Sequence, residues 1–261
     1  MNGLELVTAT FARQNRRASF MPYFPVGYPD YATSLDILAG LAGAGADALE
    51  IGMPFSDPIA DGPTLQAASQ VALHNGITIV DCLRAVQELR TRGVTIPLLM
   101  MGYYNPILAY DEARFVQAAV EAGASGFIVP DLPPDESAGF SALTQQAGVA
   151  FPQFVAPTSS PERIQLAGER ARGFIYLVSV TGVTGARTAL SADLASLISR
   201  VQQITRQPVV VGFGISTPEK AREVGALADG VIIGSKLVSL AAEGPDAVVT
   251  FARQVRQALD A

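Results

Sequence analysis

The chemistry open to this sequence rests on carboxylates, tyrosines and backbone dipoles. Glu50 stands in the run ADALEIG, 46–52, and Asp57 and Asp61 follow in PFSDPIADGPT, 54–64. If 46–52 is a strand, Ala46, Ala48, Glu50 and Gly52 share one face, and Leu49 and Ile51 the other. Glu50 then projects into an interior above two small alanines, where a carboxylate is costly unless it is paired or used. Two carboxyl groups in unlike settings can divide acid–base work, the buried one held protonated and the polar one ionised. The plainer alternatives are an internal ion pair for Glu50 and turn positions for Asp57 and Asp61, because SDP and DGP are both turn contexts. Tyr176 alternates with Phe174 and Val178 and can face the same interior, either as a site residue or as a core tyrosine with a satisfied hydroxyl.

A second chemistry is anion binding. Gly212-Phe213-Gly214-Ile215-Ser216 precedes a helix start near Pro218, and Gly234-Ser235-Lys236 ends a later apolar run. Glycines let backbone N–H groups approach an anion, and helix N-termini attract it. Gly182 and Gly185 can complete such a cup, although tight turns explain glycines equally well. Other motifs carry less. GAGADA, 43–48, matches a dinucleotide fingerprint but precedes a strand, and Gly234-Ser235-Lys236 lacks the order of a P-loop. His74 and Cys82 are the only histidine and cysteine. A serine triad would have to use His74, and a zinc cage has almost no soft ligands to draw on. His74 falls near the end of a helical stretch, where a surface or C-terminal role is expected, and Cys82 is expected to pack as a small apolar residue.

The elements that must position these groups follow from hydrophobic patterning. Short apolar runs recur at Phe20–Gly27, Ala46–Gly52, Ile96–Tyr103, Gly126–Asp131, Phe151–Pro157, Phe174–Ser179, Pro208–Gly214 and Gly230–Lys236. Most are continuously hydrophobic, as parallel strands buried on both faces are. Between them lie segments of helical spacing, among them Ser34–Ala44, Asp111–Ala122, Pro161–Ala171 and Pro218–Leu227. Helix starts are marked by Asp135-Glu136 after Pro133-Pro134, by Ser160-Pro161 and by Thr217-Pro218. Eight strands alternating with helices, with no break in composition over 1–261, predict an α/β chain with a single (β/α)8 TIM barrel and additional helices. A doubly wound open sheet is the other candidate. Long polar loops after strand two and strand six, the latter containing 180–191, leave the ends of strands where barrel active sites are built.

Composition narrows the partners. The chain has 261 residues, is 49% hydrophobic and carries a net charge of −6, which opposes nucleic-acid binding and requires a local trap for any phosphate. A lone cysteine suits a reducing cytoplasm, and neither a secretory leader nor a membrane-spanning run is read.

These residues also carry a resemblance. LEIGMPFSDPIADGPTLQ, 49–66, closely resembles the signature of the tryptophan synthase α-subunit family. SVTGVTGAR, 179–187, resembles its strand-six loop, and VVGFGIS, 210–216, and IIGSK, 232–236, its phosphate motifs. The resemblance implies that Glu50 and Asp61 are catalytic and that Tyr176 lines the substrate site. It further implies that Gly185, Gly214, Gly234 and Ser235 bind phosphate, and that Thr184 meets Asp61 when the two loops close. Tyr23, Met101, Ile128 and Phe213 fall where that family holds indole. Tyr28 stands in a Gly-Tyr-Pro turn where the family more usually has aspartate. The implied reaction is retro-aldol cleavage of indole-3-glycerol phosphate to indole and glyceraldehyde 3-phosphate, with no metal or cofactor on this chain. The implied partner is a pyridoxal phosphate-dependent β subunit in an α2β2 heterotetramer, docked at the catalytic end near Pro54, Phe55, Ile59 and YYNPILAY, 103–110. A free-standing indole-3-glycerol phosphate lyase, another phosphate-binding barrel such as a sugar-phosphate epimerase or isomerase, and a non-catalytic barrel that activates a partner are the competing expectations.

Overall fold

The structure is a computed structural model that describes residues 1–12, 18–178, 187–212 and 214–261, with the backbone alone for 187–192. Eight short parallel strands build it: β1 (Ser19–Pro25), β2 (Leu49–Gly52), β3 (Leu98–Met101), β4 (Gly126–Ile128), β5 (Gln153–Val155), β6 (Ile175–Leu177), β7 (Val209–Gly212) and β8 (Gly230–Ile233). They run in the order β4-β3-β2-β1-β8-β7-β6-β5. A parallel bridge between Gly126 and Ala150 joins the two ends of that ladder, and two further backbone bonds, from Phe127 N to Ala150 O and from Ala150 N to Ser125 O, support it. The sheet therefore curls into a nearly closed TIM barrel rather than an open doubly wound sheet. Nearly every strand residue is buried, which is why these segments read as unbroken apolar runs.

Helices cover the outside and start where the sequence marks them. Asp30, Thr78, Ser160 and Thr217 each accept a backbone N–H from the third residue of the following helix. Pro161 and Pro218 occupy first-turn positions, where the missing N–H costs nothing. At the bottom of the barrel the buried Asp47 carboxylate accepts the Phe20 amide at 2.9 Å and pairs with Arg256 at 2.9 Å, which ties the C-terminal helix Pro245–Asp260 to the ends of β1 and β2. Among the described residues no helix is long and apolar enough to cross a membrane.

The differences from the sequence reading are local. Strands are shorter than the apolar runs. The last run, Gly230–Lys236, leaves the sheet at Ile233, and Ser235 and Lys236 begin a short helix, Ser235–Leu240. The apolar runs therefore overestimate strand length. The helix expected from Asp135 begins instead at Ala138. Pro133 and Pro134 are followed by a separate turn closed by Glu136 N to Pro133 O and by Ser137 Oγ to Pro134 O. In the strand-six connection, the helix Arg187–Ile204 already includes 187–191, which the sequence reading had given to the loop.

Candidate active site

The carboxyl groups stand at the C-terminal mouth of the barrel. Glu50 is directly opposite Tyr23 in the β1–β2 register, and its side chain points inward as the strand alternation predicts. It is fully buried, and neither carboxyl oxygen has a hydrogen-bond partner among the described residues. Loss of water alone pushes its pKa well above the usual carboxylate range, which favours the protonated acid. An internal ion pair would have lowered it, and none is formed among the described residues. Asp61 approaches from the loop that follows β2. Partial burial raises its pKa to about 6, against a lowering pull from the hydroxyl of Tyr103. The polar setting expected for Asp61 is therefore only partly realised, yet above about pH 6 it is mainly ionised, whereas burial shifts Glu50 toward the protonated acid.

Between them lies a cavity of about 700 Å³. Of the residues singled out from sequence, Tyr23, Glu50, Asp61, Met101, Tyr176, Gly214, Gly234 and Ser235 line it together. Ile128 pairs with Met101 in the β3–β4 register and is fully buried, but it is not part of the lining. Thr184, Gly185 and Phe213, with Gly182, lie outside the described residues. Asp57 is exposed on the loop and bonded to Ser56, and does not line the cavity. His74 closes the helix Pro63–His74 and contacts the Gln70 carbonyl at 2.7 Å, while Cys82 is buried and free.

Two glycines shape the polar wall. A methyl group on Gly52 would lie 2.4 Å from the Tyr23 hydroxyl, and one on Gly212 would lie 2.4 Å from the Tyr176 hydroxyl. Both tyrosines therefore reach across neighbouring strands into space that any side chain would fill. Burial first, then the nearby carboxyl groups, raises both phenol pKa values, so both remain neutral donors. Tyr176 also stacks on Phe154 with ring centroids 4.5 Å apart. Gly212→Ala is expected to displace Tyr176 and lower kcat/KM at least about tenfold, with an overpacking cost of about 1–3 kcal/mol. Steady-state kinetics and thermal unfolding of the variant check this, and unchanged kinetics would dismiss the close approach as irrelevant.

Gly214, with φ of 73°, Ser216, Gly234, Ser235 and Lys236 line the cavity from the segments that follow β7 and β8. Ser216 and Lys236, named from sequence only as the ends of the two anion motifs, line the cavity too, whereas sequence reasoning missed Phe154 and Leu65. Phe154 and Ala156 alternate on strand five, which was the available signal. Nothing local marked Leu65, which enters from the first turn of the helix after the Asp61 loop. Tyr103 was also missed as a contributor to the carboxyl groups, although it ends an expected strand. Among the described residues no group of three or more His, Cys, Asp or Glu is arranged to hold a metal.

The outer rim divides the apolar residues expected there. Phe55 is half-buried and stacks on Tyr103 with ring centroids 5.3 Å apart, so part of its surface packs within its own chain. Ile59 and Leu108 are 82% and 54% exposed.

Comparison with known proteins gives the same picture. Residues 10–259 match the family model described as tryptophan synthase alpha chain. The chain is 48% identical over 247 residues to the tryptophan synthase alpha chain of Dehalococcoides mccartyi, covering 94% of this chain and 96% of that one. It is 49% identical over 234 residues to that of Chloroflexus aggregans, covering 89% and 88%. Among solved structures, a chain of Mycobacterium tuberculosis tryptophan synthase superposes with a TM-score of 0.91 at 35% identity, over 100% of this chain and 99% of that one. Barrel, site and similarity over nearly the whole length agree: the chain belongs to the tryptophan synthase alpha chain family, the lyases of tryptophan biosynthesis.

Proposed function

We propose that the chain cleaves indole-3-glycerol phosphate to indole and glyceraldehyde 3-phosphate, with Glu50 and Asp61 as its catalytic residues. The observation that carries this reading is the unlike pair of carboxyl groups in one cavity, Glu50 fully buried with no hydrogen-bond partner among the described residues and Asp61 partly buried with a pKa raised to about 6. The protonated Glu50 gives its proton to indole C3. The ring becomes cationic, and ionised Asp61 accepts the hydrogen bond of the indole N–H and balances that charge. Glu50, now a carboxylate, takes the proton of the glycerol hydroxyl attached to the breaking bond. The O–H pair becomes the aldehyde carbonyl, and the carbon–carbon pair returns to the ring and neutralises it. Glu50 ends as it began, so the cycle needs no cofactor on this chain.

Tyr23, Met101, Ile128 and Phe213 would border the indole, and Tyr176 would line the substrate site. Gly214, Gly234 and Ser235 would hold the phosphate, with Gly185 from the strand-six loop. Thr184 would meet Asp61 as that loop closes and excludes water. Residues 1–261 would act as one barrel domain in a reducing cytoplasm.

The partner would be a pyridoxal phosphate-dependent β subunit, in an α2β2 assembly, receiving indole at the mouth of the barrel. Ile59 and Leu108 leave exposed apolar surface on the segments that follow β2 and β3, where that partner would dock. The similar Mycobacterium tuberculosis chain belongs to a solved tryptophan synthase. The test is indole release from indole-3-glycerol phosphate by the purified chain, with and without a β subunit. Weak release that rises strongly with the partner is expected. Strong release alone would favour a free-standing lyase, and none in either condition would refute the proposed reaction.

A further inference from the structure

Tyr103 lies behind Asp61 rather than in the cavity. It is 3% exposed and ends the segment that follows β3. Its hydroxyl accepts the backbone N–H of Ala60 at 3.0 Å, one residue before Asp61. That bond occupies the oxygen as acceptor, so its own proton remains free to be donated, and the Asp61 carboxylate is the acceptor beside it. Its ring stacks on Phe55, at the other end of the same loop, with an interplanar angle of 29°. Tyr103 is itself fixed from below: the next amide, of Tyr104, donates to the Asp131 carboxylate at 2.9 Å, and Asp131 follows β4. One side chain thus grips both ends of the loop that carries Asp61 and anchors it to the neighbouring strands.

The geometry points to Tyr103 as the positioning residue for Asp61, a clamp that sets the loop 55–61 over the cavity and donates a hydrogen bond to the carboxylate. This deepens the proposed role of Asp61 and rests on it. Ring and hydroxyl have separable tasks. The ring holds Phe55, so Tyr103→Phe keeps the packing and removes only the two hydroxyl contacts. The hydroxyl is the one group that lowers the Asp61 pKa against burial, so its loss moves that pKa further up. A tyrosine that merely filled space would affect neither.

The experiment compares the parent chain with Tyr103→Phe by three readings. They are the carbon-13 NMR titration of the Asp61 carboxyl, hydrogen exchange of the Ala60 amide, and the pH profile of kcat/KM for indole release. The expected result has the Asp61 pKa rising by about half a unit or more, with the acid limb of the profile moving by the same amount. That costs about threefold in kcat/KM below the limb. Exchange at Ala60 becomes faster once its acceptor is gone, with the melting temperature nearly unchanged. An unmoved Asp61 titration together with unchanged Ala60 exchange would overturn the clamp. Asp61→Asn, assayed in parallel, separates the two readings. If it kept parental turnover, the catalytic role of Asp61 would fail, whereas the titration and exchange, which need no turnover, would still decide the clamp.

Discussion

Replacing Glu50 by glutamine lowers indole release from indole-3-glycerol phosphate at least about a hundredfold and raises the melting temperature at neutral and alkaline pH. The amide keeps the size of the acid but can neither give a proton to C3 nor take one from the hydroxyl, so both halves of the proposed cycle stop. The stability gain follows from burial. The folded chain holds the Glu50 proton more tightly than the unfolded chain does, because no partner among the described residues offsets the loss of water. A carboxyl with a raised folded pKa leaves the fold most stable below its unfolded value, about 4.3 for glutamate. As pH rises through the folded pKa, stability is lost, because ionisation of the unfolded chain is no longer matched at equal cost in the folded one. Glutamine does not titrate, so the variant gains on its parent as pH rises above about 4.3 and matches it more closely below. Kinetics and thermal unfolding across pH test both halves. Near-normal turnover would remove Glu50 from the mechanism, and a fall in melting temperature at pH 8 would contradict the unpaired buried acid.

Asp61→Asn is expected to cost at least about a hundredfold as well, for a different reason. Asparagine can still accept a hydrogen bond from the indole nitrogen, but it carries no charge to oppose the cation formed when C3 is protonated. The loss should therefore fall mainly on kcat, with KM changed much less. The pH profile gives an independent reading. Asp61 must be ionised, and burial raises its pKa to about 6, so kcat/KM of the parent should fall as pH drops through that value. Asp61→Asn should lack that limb. A parent profile flat from pH 5 to 8 would show that the charge of Asp61 is not needed, and retention of the limb in the variant would assign it to another group.

Much of the architecture could be read before the structure, because buried parallel strands and capped helices leave local traces. The apolar runs at 20–27 and 208–214, the prolines at 161 and 218 and the capping hydroxyls before them each report on their own neighbourhood. The alternation Ala46, Ala48, Glu50 placed the acid inside the barrel, since a strand has only two faces. Glu50 and Asp61 were also legible as a pair, being eleven residues apart on one strand and its loop.

What the sequence left open depends on chain segments that meet only in the closed barrel. Closure itself rests on Gly126 meeting Ala150, a contact that no periodicity encodes. The protonation of Glu50 was undecided between an ion pair and an unpaired acid, because burial and the absence of a cation are properties of the surroundings. Asp61 was expected in a polar setting, and partial burial moved its pKa to about 6 instead. The space that Gly52 and Gly212 leave for Tyr23 and Tyr176 comes from strand register, and the hold of Tyr103 on Ala60 spans 43 residues of chain. Side-chain identity and local periodicity determined which groups were available; packing between distant segments decided their charge, their partners and their aim.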